Sequence, residues 1–449
     1  MKRALKTVLF LNTILAAAAA FAPPVWAAGY GLKEQSAAAM GAVYAGVAAD
    51  LSNPASLSYN PATLAGVADT DFAVSLVEIV PHSGARYTTH TTALGTSTSG
   101  NASPQNFISD APIPDIAIRH RLTDDLSVGF AVSVPFGLKT DYPAGWAGRY
   151  YATKTEAITI NIAPSIAWQA TPELTFGAAL NVEYARGQLE SAIDIGTIGA
   201  VNGIPGSMPG GMDGAARLSG MSWDTGFSLG AIWRPAPDLS FGLAYKSAIT
   251  HNLTGPFTFT LDSFGVGAAI RSATGLFTNT RASAHLTMPD MLEFGARWKM
   301  SDNFTLLSEF DWTNWSRFKN LNVVAVNPAQ PADFTLANWQ SSVFFSAGGE
   351  YRLSDSFTLR AGAGFDQSPV PDATRTPRIP DASRTWLAGG LEYRLSPGSA
   401  VNLSYGRLFD DNSNIVQTSA GSGNALRGNL SGATSSMVDV VGLQVSSAL

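Results

Sequence analysis

The sequence predicts an all-β fold, a fourteen-stranded antiparallel transmembrane β-barrel plugged by an N-terminal hatch. Three observations lead there. Charged residues make up only 14% of the 449, against about 25% in a soluble domain, yet past the N-terminus no apolar run reaches the roughly 18 residues of a membrane helix. Six short polar turns punctuate the chain. The flanks of those turns alternate apolar and polar residues. A chain too apolar for water and too interrupted for helices has one other way across a bilayer: a closed barrel, in which strands pair every backbone polar group.

The first segment reads as an address. Lys2, Arg3 and Lys6 precede a largely apolar stretch, Val8 to Ala22, and Val25-Trp26-Ala27 offers a cleavage site. Residues 1–27 are therefore expected to be a cleaved secretory signal peptide. Residues 28–69 are rich in Gly and Ala, weakly charged, and carry two Asn-Pro-Ala triplets, at 53–55 and 60–62. A segment of about 40 such residues suits the lumen of a large barrel as a hatch; a periplasmic tail is the bland alternative. Residues 70–449 are assigned to the barrel.

The turns are Thr123-Asp124-Asp125, Thr171-Pro172-Glu173, Ala236-Pro237-Asp238, Ser301-Asp302-Asn303, Ser354-Asp355-Ser356 and Ser396-Pro397-Gly398, all tight-turn chemistry. A ring residue stands three positions before each: His120, Trp168, Trp233, Trp298, Tyr351 and Tyr393. Rings of this kind settle where lipid meets water. Leu126, Val128, Phe130, Val132 and Val134 alternate with small residues after the first turn, and Ile158, Ile160, Ile162, Ile166 and Trp168 hold one parity before the second. Alternation over about 10 residues is the mark of a membrane strand. It also fits a soluble sandwich, and the signal peptide and aromatics favour the membrane. Six hairpins supply twelve strands; Phe72 to Val80 and Met437 to Leu449 supply two more. The even total suits a bacterial barrel, with short periplasmic turns opposite long external connections. These run roughly 82–111, 139–156, 187–222, 246–288, 314–340, 366–384 and 408–435.

Composition excludes several functions. The chain has no Cys, so disulfide scaffolds and thiol chemistry are out. The five His, at 82, 90, 120, 251 and 285, are scattered without metal-ligand spacing; no metal, cofactor or catalytic group is expected. A formal charge of −6 argues against nucleic-acid partners. Inward positions read mostly as Ser, Gly, Ala and Thr, so the lumen is expected to be poor in charge.

The stretch AGYGLKEQSAAAMGAVYAGVAAD from Ala28, YNPATLAG from Tyr59, GWAGRYYATKTE at 145–156 and FDQSPVPDATRTPRIPDASRTWLAGGLEYRL at 365–395 resemble the FadL/TodX family of outer-membrane transporters of long-chain fatty acids and hydrophobic compounds. The resemblance covers nearly the whole mature chain. It implies a monomeric barrel with an internal hatch, a ligand site, an external groove and an exit at a kinked third strand. Asn60, Pro61 and Ala62 match the hatch triplet beside that kink, which falls at Pro135, Phe136 and Gly137. These six are the expected gate; Pro135 as a plain strand end is the alternative. The two longest loops match those of the groove, and Met208, Met212, Leu218, Met221, Phe257, Phe259, Leu261, Phe264 and Phe277 are expected to bind ligand there, or to pack the loops on each other. The stretches where the family holds a carboxylate read Glu190-Ser191 and Trp339-Gln340-Ser341. A fatty acid, an alkane or an aromatic hydrocarbon therefore all remain open as ligands.

The function implied is passive uptake across the outer membrane of a Gram-negative bacterium: capture at the external loops and lateral release at the third strand. A general diffusion porin is the alternative, a surface enzyme the more remote one. Expected partners besides the ligand are outer-membrane lipid, lipopolysaccharide and the barrel-assembly machinery. The last residue is Leu449 rather than an aromatic.

Overall fold

The computed structural model describes residues 29–449; the expected signal peptide lies outside the described residues. Fourteen antiparallel strands form one closed sheet. In order they are Thr70–Thr91, Ala111–Arg121, Leu126–Ser133 continued by Gly137–Asp141, Lys154–Thr171, Leu174–Asp194, Asp213–Ala236, Leu239–Lys246 continued by Ile249–Thr260, Thr280–Met288 continued by Met291–Lys299, Phe304–Thr313, Ser342–Arg352, Phe357–Asp366, Arg384–Ser396, Ser399–Asp410 and Asn429–Ala448. The first closes on the fourteenth from Asp71↔Ala448 to Thr91↔Asn429.

All six turns connect successive strands where the turn residues predict them. Trp168, Trp233, Tyr351 and Tyr393 are exposed before those turns, as are Val74, Leu76, Ile166, Phe176 and Leu180 along the strands. Several strands run far beyond a bilayer, which needs about 9–11 residues. The fifth has 21 residues and the sixth 24, so much of the expected 187–222 loop is sheet. What remains outside includes the helices Ile195–Val201 and Val266–Thr274 and a small hairpin, Asn320–Ala325 with Asp333–Leu336.

Residues 29–69 fold inside this wall. Three of the four short helical turns of this plug start with a side-chain cap, the exception being Val47–Ala49, which follows Gly46. Ser36 Oγ accepts the amide of Ala39 at 3.2 Å, Asn53 Oδ1 that of Ala55 at 3.1 Å, and Asn60 Oδ1 that of Ala62 at 2.9 Å. The two Asn-Pro-Ala triplets are thus one device used twice: Asn caps, and Pro, which has no N–H to lose, occupies the first helical position. The plug then winds around the inner wall. Ala37 N–H donates to Ser75 Oγ at 2.9 Å, Gly46 N–H to the Ser308 carbonyl at 3.0 Å, and Asn60 Nδ2 to the Ala231 carbonyl at 3.3 Å.

Inward glycines admit this close approach. Gly177 and Gly230 face each other across the fifth and sixth strands, Gly242 and Gly295 across the seventh and eighth, and Gly348 and Gly362 across the tenth and eleventh. A Cβ on Gly177 would lie 2.3 Å from the Ala62 nitrogen, and one on Gly242 2.0 Å from the Ala48 oxygen.

The lumen is not poor in charge, contrary to expectation. Arg119 pairs with Asp71 at 2.6 Å and donates to the plug carbonyls of Leu51 and Thr63 at 3.0 and 2.9 Å. Arg297 links plug Asp50 (3.1 Å) to Glu350 (2.6 Å), and Arg360 joins Glu350 and Glu392 at 2.8 and 2.6 Å. Lys33 of the plug pairs with Asp311, and Lys246 with Glu293 at 3.0 Å. Such charges are tolerated inside because each meets an opposite charge or a plug carbonyl.

Gly177→Val should displace the plug by overpacking, at a cost of about 1–3 kcal/mol, and leave the wall intact. The barrel should still migrate as a heat-modifiable band on a gel, while protease cleavage within residues 29–69 rises several-fold. Undisturbed protection would show that the glycines are not what seats the plug.

Candidate functional site

The wall is interrupted in its third strand. Pro135 cannot donate to a ladder, and the strand stops at Ser133 and resumes at Gly137. It does not end there: Gly137–Asp141 still pairs with the fourth strand. On the other side the second strand pairs with the third only over Ile116–Arg121. Ala111 to Asp115 pair with the first strand and have no ladder toward the third.

The plug takes over that missing partner. Leu32 N–H donates to the Pro135 carbonyl at 2.8 Å, Gly137 N–H donates to the Tyr30 carbonyl at 2.9 Å, and Gly31 bridges Phe136 as a strand would. Gln35 Nε2 donates to the Val134 carbonyl at 3.1 Å. A Cβ on Gly137 would sit 2.8 Å from Leu32 Cδ1, so the Leu32 side chain would have to turn aside.

Behind the interruption lies a chamber of about 370 Å³. Leu32, Ile79, Ile113, Val134, Leu138 and Trp386 give it an apolar lining, and Ala111 brings it to the unpaired edge of the second strand. A second, smaller cavity of about 80 Å³ opens beside it under the external loops. Leu189, Leu218, Leu253, Leu286, Phe318 and Leu321 line this groove almost without polar surface. Tyr30 and Leu138 line both. Tyr30 is caught in an aromatic cluster, with ring centroids 4.7 Å from Trp315, 5.7 Å from Trp339, 6.0 Å from Phe136 and 6.3 Å from Phe318.

The predicted gate residues fall in two places. Pro135, Phe136 and Gly137 form the interruption. Asn60, Pro61 and Ala62 press instead on Gly177 and Gly230 of the fifth and sixth strands, and Asn60 Nδ2 donates to the Ala48 carbonyl at 2.7 Å. The groups meet only across a cavity of about 70 Å³ that Pro61, Pro135 and Phe136 share. Of the predicted binding residues, Leu218 lines the groove. Met212, Phe257, Phe259 and Phe277 are buried in a cluster with the two external helices, and Leu218 and Leu261 pack on it. Met208, Met221 and Phe264 are exposed.

Sequence reasoning missed Tyr30, Trp315 and Trp339, whose only signal was a density of large aromatics without a strand period. It also missed the tie at the start of the plug. Gly29 N–H donates to Asp381 Oδ2 at 3.0 Å, Ser368 donates to the same oxygen, and Arg384 pairs with Oδ1 at 2.9 Å. Burial in the loop pushes the Asp381 carboxyl up to about 6, with Arg384 acting against it. Three of these residues lie in the quoted 365–395 motif, where the order was visible but not the contact.

A family model described as outer membrane protein transport protein (OMPP1/FadL/TodX) matches residues 17–448. The long-chain fatty acid transport protein of Escherichia coli is 25% identical, over 89% of this chain and 91% of that one. Outer membrane protein P1 of Haemophilus influenzae is 26% identical, over 91% and 90%. Among solved structures, a Pseudomonas aeruginosa FadL homologue superposes with a TM-score of 0.85 at 22% identity, covering 94% of this chain and 99% of that one. The Pseudomonas putida toluene transporter TodX superposes at 0.66 and 17%, covering 92% and 98%.

The shift at Asp381 gives a measurable titration. Its carboxyl should keep its proton to about pH 6, well above the ordinary carboxylate range of about 4. An infrared carboxyl band that titrates there, and is lost in Asp381→Asn, is the expected result. A band that is gone by about pH 4 would contradict it.

Proposed function

The chain belongs to the OMPP1/FadL/TodX family of outer membrane transport proteins, and on that premise we propose that it admits hydrophobic compounds by capture at the external groove and lateral release at the third strand. The observation that carries the reading is the interruption at Pro135 with a largely apolar chamber directly behind it. Two of the proteins named above are a long-chain fatty acid transport protein and a toluene transporter, so the class of cargo is hydrophobic. Such a molecule leaves water for the groove, at about 25 cal/mol for each Å² of apolar surface buried. It moves past Tyr30 to the chamber, which has its apolar lining beside the unpaired edge Ala111 to Asp115. From there the bilayer lies sideways, through the wall, and the cargo need not re-enter water.

Binding energy alone drives this route, down a gradient. A general diffusion porin is the poorer reading, because the plug and its ion pairs occupy the lumen below the chamber. Among the described residues no group of His, Asp and Glu is arranged to hold a metal, and the relatives are transport proteins rather than enzymes.

The absence of Cys makes the test clean. Ala111→Cys introduces one thiol at the edge of the opening. Coupling it to a bulky maleimide should lower uptake of a radiolabelled hydrophobic probe about tenfold, while the unlabelled variant transports normally. Undiminished uptake after complete labelling would sink lateral release.

A further inference from the structure

The chamber has one polar end, and its construction points to the head of the cargo. Four strands build it as stacked rows. Asp366, Arg384 and Asp410 stand opposite one another on the eleventh, twelfth and thirteenth strands. The next inward row is apolar: Trp386, Leu408 and Val438. A head-and-tail molecule lying along the wall would meet polar atoms at one end and an apolar floor at the other.

That polar end is incompletely paired. Arg384 Nη2 is bound to Asp381, but Arg384 Nε stands 3.7 Å from Asp410 Oδ1, too far for a hydrogen bond. Both atoms are buried without a hydrogen bond of good geometry, as are Trp386 Nε1, which faces the Asp366 carboxyl, and Ser436 Oγ, which faces that of Asp410. All four residues line the chamber, and Trp386 is only 1% exposed. Buried polar atoms are normally satisfied in good geometry, so four loosely held polar groups in one cavity need an explanation.

The charge around them selects what can satisfy them. Six acids line the chamber, Glu34, Asp110, Glu156, Asp366, Asp381 and Asp410, against Lys33, Lys139 and Arg384. Lys33 is committed to Asp311 and Arg384 to Asp381, while Lys139 is exposed. We propose that this end is a head-group site for a neutral hydrogen-bonding head, a hydroxyl, and that it discriminates against a carboxylate. The proposal rests on the reading of the chamber as the transport pocket. A hydroxyl can donate to Asp410 Oδ1 and accept from the indole, the guanidinium or Ser436. A carboxylate only accepts, and it would enter among like charges whose nearest cation is already paired. A bare alkane would leave these groups as loosely held as before.

The test uses the full chain held in amphipol and three dibrominated undecyl probes that differ only in head: alcohol, carboxylic acid and amine. Bromine on the chain quenches nearby tryptophan fluorescence, and buffer at about pH 8 keeps the acid ionised. The alcohol should half-saturate at a concentration about tenfold below the acid. The quenching should fall by a constant amount in Trp386→Phe, which places the probe in the chamber. Asp410→Asn should narrow the gap between alcohol and acid, with its fold checked by heat-modifiable migration. Tighter binding of the acid or the amine would overturn the head-group assignment and leave the transport pocket standing. Quenching by none of the probes, or quenching untouched by Trp386→Phe, would overturn the pocket itself.

Discussion

Everything in this barrel depends on where the backbone hydrogen bonds of the third strand go. Inside a bilayer an unpaired N–H or C=O costs several kcal/mol, so a wall cannot simply be left open. Pro135 removes one donor at the start, which lowers the number of bonds to be replaced. The rest are supplied from inside, by Tyr30, Leu32 and Gln35. The plug is therefore part of the wall at this one point. An interruption that would be intolerable in an isolated barrel becomes a stable feature of this one.

That role requires the plug to be held at a fixed height and rotation. The glycine pairs provide the seat, because backbone lies against backbone where a side chain would stand. The ion pairs provide the lock: Arg119 grips Leu51 and Thr63, Arg297 grips Asp50, and Asp381 ties down Gly29. The two systems act in different ways. Steric seating is indifferent to salt and pH, whereas buried pairs are costly to break one partner at a time.

Much of the architecture was legible beforehand. Turn chemistry and two-residue alternation were enough for the strand count, because both are local. Three things escaped for physical reasons. The outer ends of the fifth and sixth strands, Gln188 to Asp194 and Asp213 to Ser222, lie beyond the length a bilayer needs and carry no sustained apolar alternation, so they read as loop. The charged lumen was hidden by averaging: Glu293, Arg297, Glu309, Asp311, Glu350 and Arg360 all stand at inward positions of strands whose outward positions are apolar, so no window looks charged. The apolar loop residues were found, but a sequence cannot tell lining a groove from packing a helix, and Met212, Phe257, Phe259 and Phe277 do the latter. Pro135 was visible as a break, yet its partner is about a hundred residues away, beyond any local pattern.

The same separation explains why one short segment can couple the two ends of the proposed route. Tyr30 lines both the groove and the chamber, and its carbonyl accepts the hydrogen bond from Gly137 that bridges the third strand. On the proposed route a cargo molecule passes the Tyr30 ring, which is packed among Trp315, Trp339 and Phe318. Gly31 joins that ring to the bridge with Phe136 and has no side chain to buffer the movement. On the proposed route, entry at the groove and loosening of the wall fall in three consecutive residues, with no signal to be carried across the barrel. Asp381 holds the residue on the far side, Gly29. The proposed path of the cargo then runs through the same hydrogen bonds that bridge the third strand.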